Sequence, residues 1–200
     1  MESKTKNRES WLAAAFAALA EGGVDKVRVE LLAKALKVTK GSFYWHFRDR
    51  TELMSALLES WKQGRIAAIK EQTRLDAREP AQQLRDMLAL YGGSKPRGMA
   101  IELAVRDWAR RAPEAESIIA EVDRERLHSV AGLFAALGLP PDQAFARAYL
   151  FYAFAFGQGL LAPAAAADRA DAVRRICASV LVPQEQAAET KAGDGRAAKG

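Results

Sequence analysis

The chain has 200 residues, half of them apolar and 28% charged, proportions of an ordinary soluble protein of one or two compact units. One cysteine, Cys177, excludes an intrachain disulfide framework and fits a reducing cytoplasm, and the N-terminus lacks the apolar run of a secretory signal. The net charge is +5, and ten basic residues against six acidic ones up to Arg50 place nearly all of the surplus in the first quarter, the electrostatic footprint of a nucleic-acid-binding head on a near-neutral body.

Abundant Ala, sparse Pro and apolar residues at helical spacing predict an all-α fold. The first helix is expected over 8–21, with Leu12, Ala15, Phe16 and Leu19 as its buried stripe and Gly22-Gly23 as its left-handed end. A second short helix covers 29–36 with Leu32, Ala33 and Leu36 inward. Lys37-Val38 makes a tight turn. Thr39 is placed to cap a third helix, 40–47, by accepting from the Ser42 amide. Asp49 reads as the next N-cap, with Glu52 completing a capping-box pattern. The fourth helix then runs to about Asp76, with Leu53, Leu57 and Trp61 on one face. Further helices are expected at about 80–91, 97–111, 114–137, 142–162 and 168–182, divided by Gly and Pro. The tail after Pro183 has no large apolar residue and reads as disordered. Nine helices result: three short ones in a head, residues 1–50, and six in a body, residues 51–183, followed by the tail, 184–200.

The segment 148–167 carries no charge and approaches spanning length, but Pro163, Gln158 and nearby glycines interrupt it, so it reads as a helix buried on two sides rather than a membrane span. Catalysis has little to work with. The two histidines, His46 and His128, lie far apart, and neither a phosphate-binding Gly loop nor a metal-ligand cluster is present in the sequence. An enzyme, a cofactor and a metal site are therefore not expected.

The second and third helices have the pattern of a helix-turn-helix. That motif needs a small residue on the first helix, here Ala33, and apolar residues about the turn, here Leu32, Leu36, Val38 and Phe43. On the third helix Phe43 and Phe47, four residues apart, point inward. Lys40, Gly41, Ser42, Tyr44, Trp45 and His46 take the other side or the rim. Exposed aromatics beside cations suit thymine methyls, sugars and phosphates, and Gly41 suits close backbone approach to DNA. His46 reads either as a core-edge residue or as a phosphate contact.

The run Val38-Thr39-Lys40-Gly41-Ser42-Phe43-Tyr44-Trp45-His46-Phe47 resembles the recognition-helix signature of TetR-family repressors, and Arg48-Asp49-Arg50-Thr51-Glu52-Leu53 resembles the start of that family's fourth helix. The resemblance covers about residues 8–60. It implies phosphate contacts from Tyr44, His46 and Arg50, base or groove contacts from Lys40, Gly41, Ser42 and Trp45, and a backbone contact from Thr39. Two positions depart from the pattern. Arg28 stands where a capping Thr is usual, and reads as either solvated or reaching a phosphate. Lys37 stands where a turn Gly is common. The resemblance also implies a homodimer on a palindromic operator, released by a small apolar or aromatic ligand; a ligand-independent architectural protein or an activator is the alternative on the same fold.

The ligand pocket that the resemblance implies is expected among Trp61, Met87, Tyr91, Met99, Trp108, Phe134, Phe151 and Phe154, each of which reads equally as plain core, with Arg106 and His128 as polar candidates. Glu102 and Arg106 have the spacing of a surface i, i+4 pair. The helix at 142–162 is apolar nearly all round, and with the last helix it is expected to form a four-helix interface with a second copy through Leu150, Gly157, Leu160, Leu161, Val173 and Ile176, with Ala153 and Ala155 allowing close approach.

Overall fold

The computed structural model describes residues 7–75, 78–92, 96–161 and 168–182; the arm lysines Lys4 and Lys6, the stop at Pro163 and the tail 184–200 lie outside them. Among the described residues the chain is all-α, with eight α-helices and two short 3-10 helices: α1 Arg8–Gly22, a 3-10 turn Val24–Lys26, α2 Val29–Leu36, a 3-10 helix Lys40–Trp45, α3 Arg50–Gln72, α4 Pro80–Gly92, α5 Pro96–Ala109, α6 Pro113–Ala136, α7 Pro141–Leu160 and α8 Ala170–Leu181. The nine expected elements are all present, and the turn at Val24–Lys26 is an addition. No helix among the described residues is long and apolar enough to cross a membrane.

Asn7 starts α1 by accepting the Ser10 amide at 2.9 Å, and Gly23 at φ +72° ends it, its N–H donating to Leu19 O at 2.9 Å. The buried stripe is rotated from the expected one. Trp11, Ala15 and Leu19 are fully enclosed, while Leu12 and Phe16 are only half-buried. Trp11 is drawn inward by Phe43, which it meets edge-on at a centroid distance of 5.3 Å.

The turn after α2 closes on Lys37, which is left-handed at φ 58° and ψ 43° while the Val38 N–H reaches back to Ala33 O at 3.0 Å. A side chain in that conformation costs about 1 kcal/mol, and exposed Lys37 has no interior contact to offset it. Lys37→Gly is therefore expected to stabilise the protein by about 1 kcal/mol and raise its melting midpoint by about 2–4 °C. Thermal unfolding of the two proteins checks this; an unchanged or lower midpoint would show that the turn carries no strain.

The Asp49 side chain accepts the Glu52 amide at 2.9 Å, as the capping pattern predicts, while Glu52 reaches back one residue further than expected and accepts from the Arg48 amide at 2.9 Å. The helix α3 ends at Gln72, short of Asp76. There Thr73 turns the chain, its N–H and hydroxyl both donating to Ile69 O. Proline opens each of α4, α5, α6 and α7, where its missing N–H costs nothing and its fixed φ suits the first turn.

Two buried clusters hold the fold. The first joins Trp11, Leu19, Leu32, Phe43 and Phe47 of the N-terminal helices to Leu53, Leu57 and Trp61 of α3, and continues into Val105 of α5 and Val122 of α6. The second lies between α4, α6, α7 and α8, around Leu84, Met87, Phe134, Phe151 and Tyr152. The N-terminal helices are thus not suspended on a linker: α1 packs directly on α5, and α3 packs on α6.

Candidate functional site

The element at Lys40–Trp45 is wound as a 3-10 helix, so residues three apart eclipse. Phe43 and Phe47 anchor it from below. Their rings stack at 5.4 Å, Trp11 closes on Phe43, and the Arg8 guanidinium lies 4.6 Å from the Phe47 centroid. Burying two phenylalanines fixes the opposite side outward, where Trp45 is 86% exposed and Tyr44 56%. Two large aromatic rings held in water by an otherwise well-buried head form a contact surface waiting for a partner.

The polar residues of the same surface have definite placements. Thr39 does not cap through its hydroxyl as expected. The Ser42 amide and hydroxyl both donate instead to the Thr39 carbonyl, at 3.1 and 2.9 Å, which leaves the Thr39 side chain out of the helix's own bonding. At Gly41 an added Cβ would meet nothing but Thr39 Oγ1 at 3.8 Å, so the fold itself has no need of glycine there. Lys40 pairs with Glu30 of α2. Their hydrogen bond and mutual charge hold the Glu30 carboxyl below, and the Lys40 ammonium above, their ordinary ranges. His46 is half-buried, at the rim.

Two arginines, both exposed, are tied to backbone carbonyls of the head. Arg50 donates from Nε to Val27 O at 2.7 Å and from Nη2 to Val24 O at 2.9 Å, tying the start of α3 to the turn before α2. Arg28 sits at the N-cap of α2 without a side-chain cap, and its Nε donates to Asp25 O at 3.0 Å.

In the body the ten expected pocket residues do not all converge on one site. Met87, Phe134 and Phe151 belong to the closed second cluster, Trp61 to the first, and half-buried Trp108 packs against the first from outside. Phe154 and Met99 are half-buried. His128 is exposed on α6. A surface cleft of about 320 Å³ at the end of α3 and along α4 touches Met87 alone of the ten, beside Gln83, Asp86 and Leu90.

Three of the expected pocket residues, Trp61, Tyr91 and Arg106, do share a neighbourhood: they border a charged centre between the two clusters, whose remaining members the sequence reading missed. Arg126 of α6 is 2% exposed and Glu102 of α5 is 3% exposed. The Arg126 guanidinium donates to both Glu102 oxygens at 2.8 Å and to Asp123 at 3.0 Å. Arg106 donates to both Asp123 oxygens, at 2.9 and 2.7 Å, and to Glu102 at 3.0 Å. Burial alone would push the Asp123 carboxyl up, but the Arg106 hydrogen bond and the two guanidinium charges outweigh it and hold it below the ordinary range. The same contest favours the charged form of Arg126, where Glu102 overcomes the desolvation. Around this quartet stand Trp61, Tyr91, Tyr152 and Phe156; the last two stack at 5.7 Å, and Arg126 lies 5.1 Å from the Phe156 centroid. Burial also raises the hydroxyls of Tyr91 and Tyr152, keeping them protonated. The signal was in the sequence: Val122, Arg126, Val130 and Leu133 form one apolar stripe of α6 with an arginine inside it.

The geometry agrees with known proteins. Residues 12–57, which hold α1, α2, the 3-10 helix and the start of α3, match the family described as bacterial regulatory proteins, tetR family. The probable acrEF/envCD operon repressor of Escherichia coli (strain K12) is 34% identical over 102 residues, 48% of this chain and 45% of that protein; the chain thus spans about half the length of the curated relatives it matches. A transcriptional regulator from Rhodococcus sp. Rha1 superposes over 88% of this chain and 94% of its own, with a TM-score of 0.71 at 20% identity. The regulator FadR from Bacillus subtilis, in complex with stearoyl-CoA, covers 88% and 97% with a TM-score of 0.61 at 16% identity. The sequence match to the tetR family of bacterial regulatory proteins thus covers the head, residues 12–57, and the solved structures show that the chain shares their fold over nearly its whole described length.

Proposed function

We propose that this protein is a transcriptional repressor that binds a near-palindromic operator as a homodimer and lets it go when a small molecule occupies the body. The observation that carries the DNA reading is the outward side of the 3-10 helix, where Trp45 and Tyr44 stand in solvent above a rigid phenylalanine base. Residues 1–50 serve as the DNA-binding head and 51–183 as the ligand-binding and dimerising body. Tyr44, Trp45, Lys40, Gly41 and Ser42 meet the groove, with Thr39, His46, Arg28 and Arg50 at the backbone. Lys40 exchanges Glu30 for a phosphate on binding, and Arg50 contributes through the part of its guanidinium that Val24 and Val27 leave free.

A second copy is supported by the surface of α7 and α8. Phe145, Tyr149, Leu150 and Leu160 of α7, Leu161 just beyond it, and Val173, Ile176 and Val180 of α8 are all exposed, a larger apolar area than a monomer carries without reason. The opposite side of α7, including Phe151, Tyr152 and Ala155, is enclosed in its own protomer, so Ala155 does not face the partner as the sequence suggested. A Cβ on Gly157 meets nothing within 4 Å, which leaves room for a mate's helix. Two heads on such a dimer reach successive major grooves about 34–36 Å apart. Gly157→Leu is accordingly expected to shift sedimentation from dimer to monomer without unfolding the protomer; an intact dimer would move the interface elsewhere.

Repression is supported by the name of the Escherichia coli relative, an operon repressor, and ligand control by the acyl-CoA complex of the Bacillus subtilis fold neighbour. Here a ligand is received at the charged, aromatic centre, which α5 connects to α1 of the head. A ligand preferring a wider head spacing by about 1–3 kcal/mol weakens DNA binding roughly 5–150-fold. Selection of bound fragments from genomic DNA tests the reading. A recovered inverted repeat with half-sites one helical turn apart supports it, and recovery of unrelated fragments with no common site overturns it.

A further inference from the structure

We infer that the body's ligand is a planar molecule whose polar end is a hydrogen-bond acceptor, such as an aromatic carboxylate, and that the site discriminates against organic cations. This rests on the reading that a small molecule occupies the body, and it adds the chemistry that the molecule must have.

The argument comes from which groups of the centre are already used. All four carboxylate oxygens are taken. Glu102 Oε1 accepts from Arg106 and Arg126, and Oε2 accepts from Arg126. Asp123 Oδ1 accepts from Arg106 and Arg126, and Oδ2 accepts from Arg106. Two guanidiniums against two carboxylates leave no net negative charge to draw in an ammonium, and the two carboxylates already accept six hydrogen bonds. What remains unsatisfied has the opposite character. Arg126 Nε is buried without a hydrogen-bond partner, and the Tyr152 hydroxyl has only the Tyr91 hydroxyl beside it. The first can only donate, and a phenol hydroxyl donates readily to an anionic oxygen. Arg126 is more than nine-tenths buried, so the missing partner of its Nε is not bulk water.

The walls fit a flat molecule. Tyr152 and Phe156 stack in parallel, and Tyr91 meets both edge-on at 6.0 and 6.2 Å, an array that a third ring can extend.

Calorimetric titration of the full chain with three probes on one ring tests this: 2-naphthoate, its methyl ester, and protonated 2-naphthylmethylamine. The two acceptor-bearing probes are expected to bind, naphthoate the tighter, and the ammonium at least thirtyfold more weakly than naphthoate. Tyr152→Phe removes a hydroxyl whose one neighbour in the free protein is the Tyr91 hydroxyl, so its melting midpoint is expected to fall by no more than about 2–4 °C while naphthoate binding weakens about tenfold or more. Tighter or equal binding of the ammonium overturns the inference, as does unchanged naphthoate affinity in Tyr152→Phe, or binding of none of the three. A gel shift run alongside separates the two claims. Naphthoate that binds through Tyr152 yet leaves the operator complex intact defeats ligand-controlled release and not the site chemistry, whereas release that is indifferent to Tyr152 does the reverse.

Discussion

Trp45→Ala is expected to leave the protein folded and dimeric while operator affinity falls by about a thousandfold. The fold should not notice the change, because a side chain 86% exposed contributes no enclosed contact, and surface substitutions of that kind stay within about 0.5 kcal/mol. The ring's worth lies in the complex. A tryptophan brought from water to the centre of an interface typically contributes about 2 kcal/mol or more, and a two-fold dimer loses it twice, about 4 kcal/mol in all. The measurement is a gel shift on the selected inverted repeat at one fixed salt concentration, since phosphate contacts make affinity steeply salt-dependent. Lys40→Ala is the informative companion. If Lys40 leaves Glu30 for a phosphate, its loss lowers the salt slope by about 1 per head and weakens related and unrelated DNA alike. Wild-type affinity in Trp45→Ala would mean that the exposed side of the 3-10 helix is not the reading surface.

The two halves of the molecule were unequally legible from sequence. In the head, local rules decide nearly everything: Asn7 and Asp49 cap, Gly23 and Lys37 turn left-handed, and two phenylalanines four apart choose which side of a six-residue helix faces water. Each of those acts within a few residues, so spacing suffices to find it. Even there, Ala15 and Leu19 are enclosed as the spacing predicts but Trp11 takes the place of Leu12 and Phe16, because what pulls it inward is Phe43, thirty-two residues away. In the body nothing local distinguishes a pocket from a core. Glu102 and Arg106 have the spacing of a solvated helix pair, and only packing against α6 turns Glu102 into a buried partner of Arg126. The apolar list pointed to Phe134 and Phe151, which fill space, and passed over Tyr152 and Phe156, which border the charges. A charged residue inside an apolar stripe was the better guide than any number of aromatics.

Arg126→Met is expected to cost about 3–5 kcal/mol, because it removes the principal partner of a carboxylate that is 3% exposed. At about 2–4 °C per kcal/mol for a chain of this size, the melting midpoint should drop by about 10 °C or more. The cost comes from the stranded charge rather than from the lost pair, and a second substitution exposes the difference. With Glu102→Leu added, no uncompensated charge stays in the interior, and Arg106 and Asp123 keep their own two-pronged pair at the edge of the centre. Replacing a whole buried pair by apolar side chains is often neutral or stabilising, so the double variant should regain most of what Arg126→Met loses. Circular dichroism melts of the three proteins decide this. If the double variant is as unstable as the single one, the guanidinium is there for packing. If it recovers and no longer binds naphthoate, then a chain that folds as well without the two charges keeps them for what they recognise.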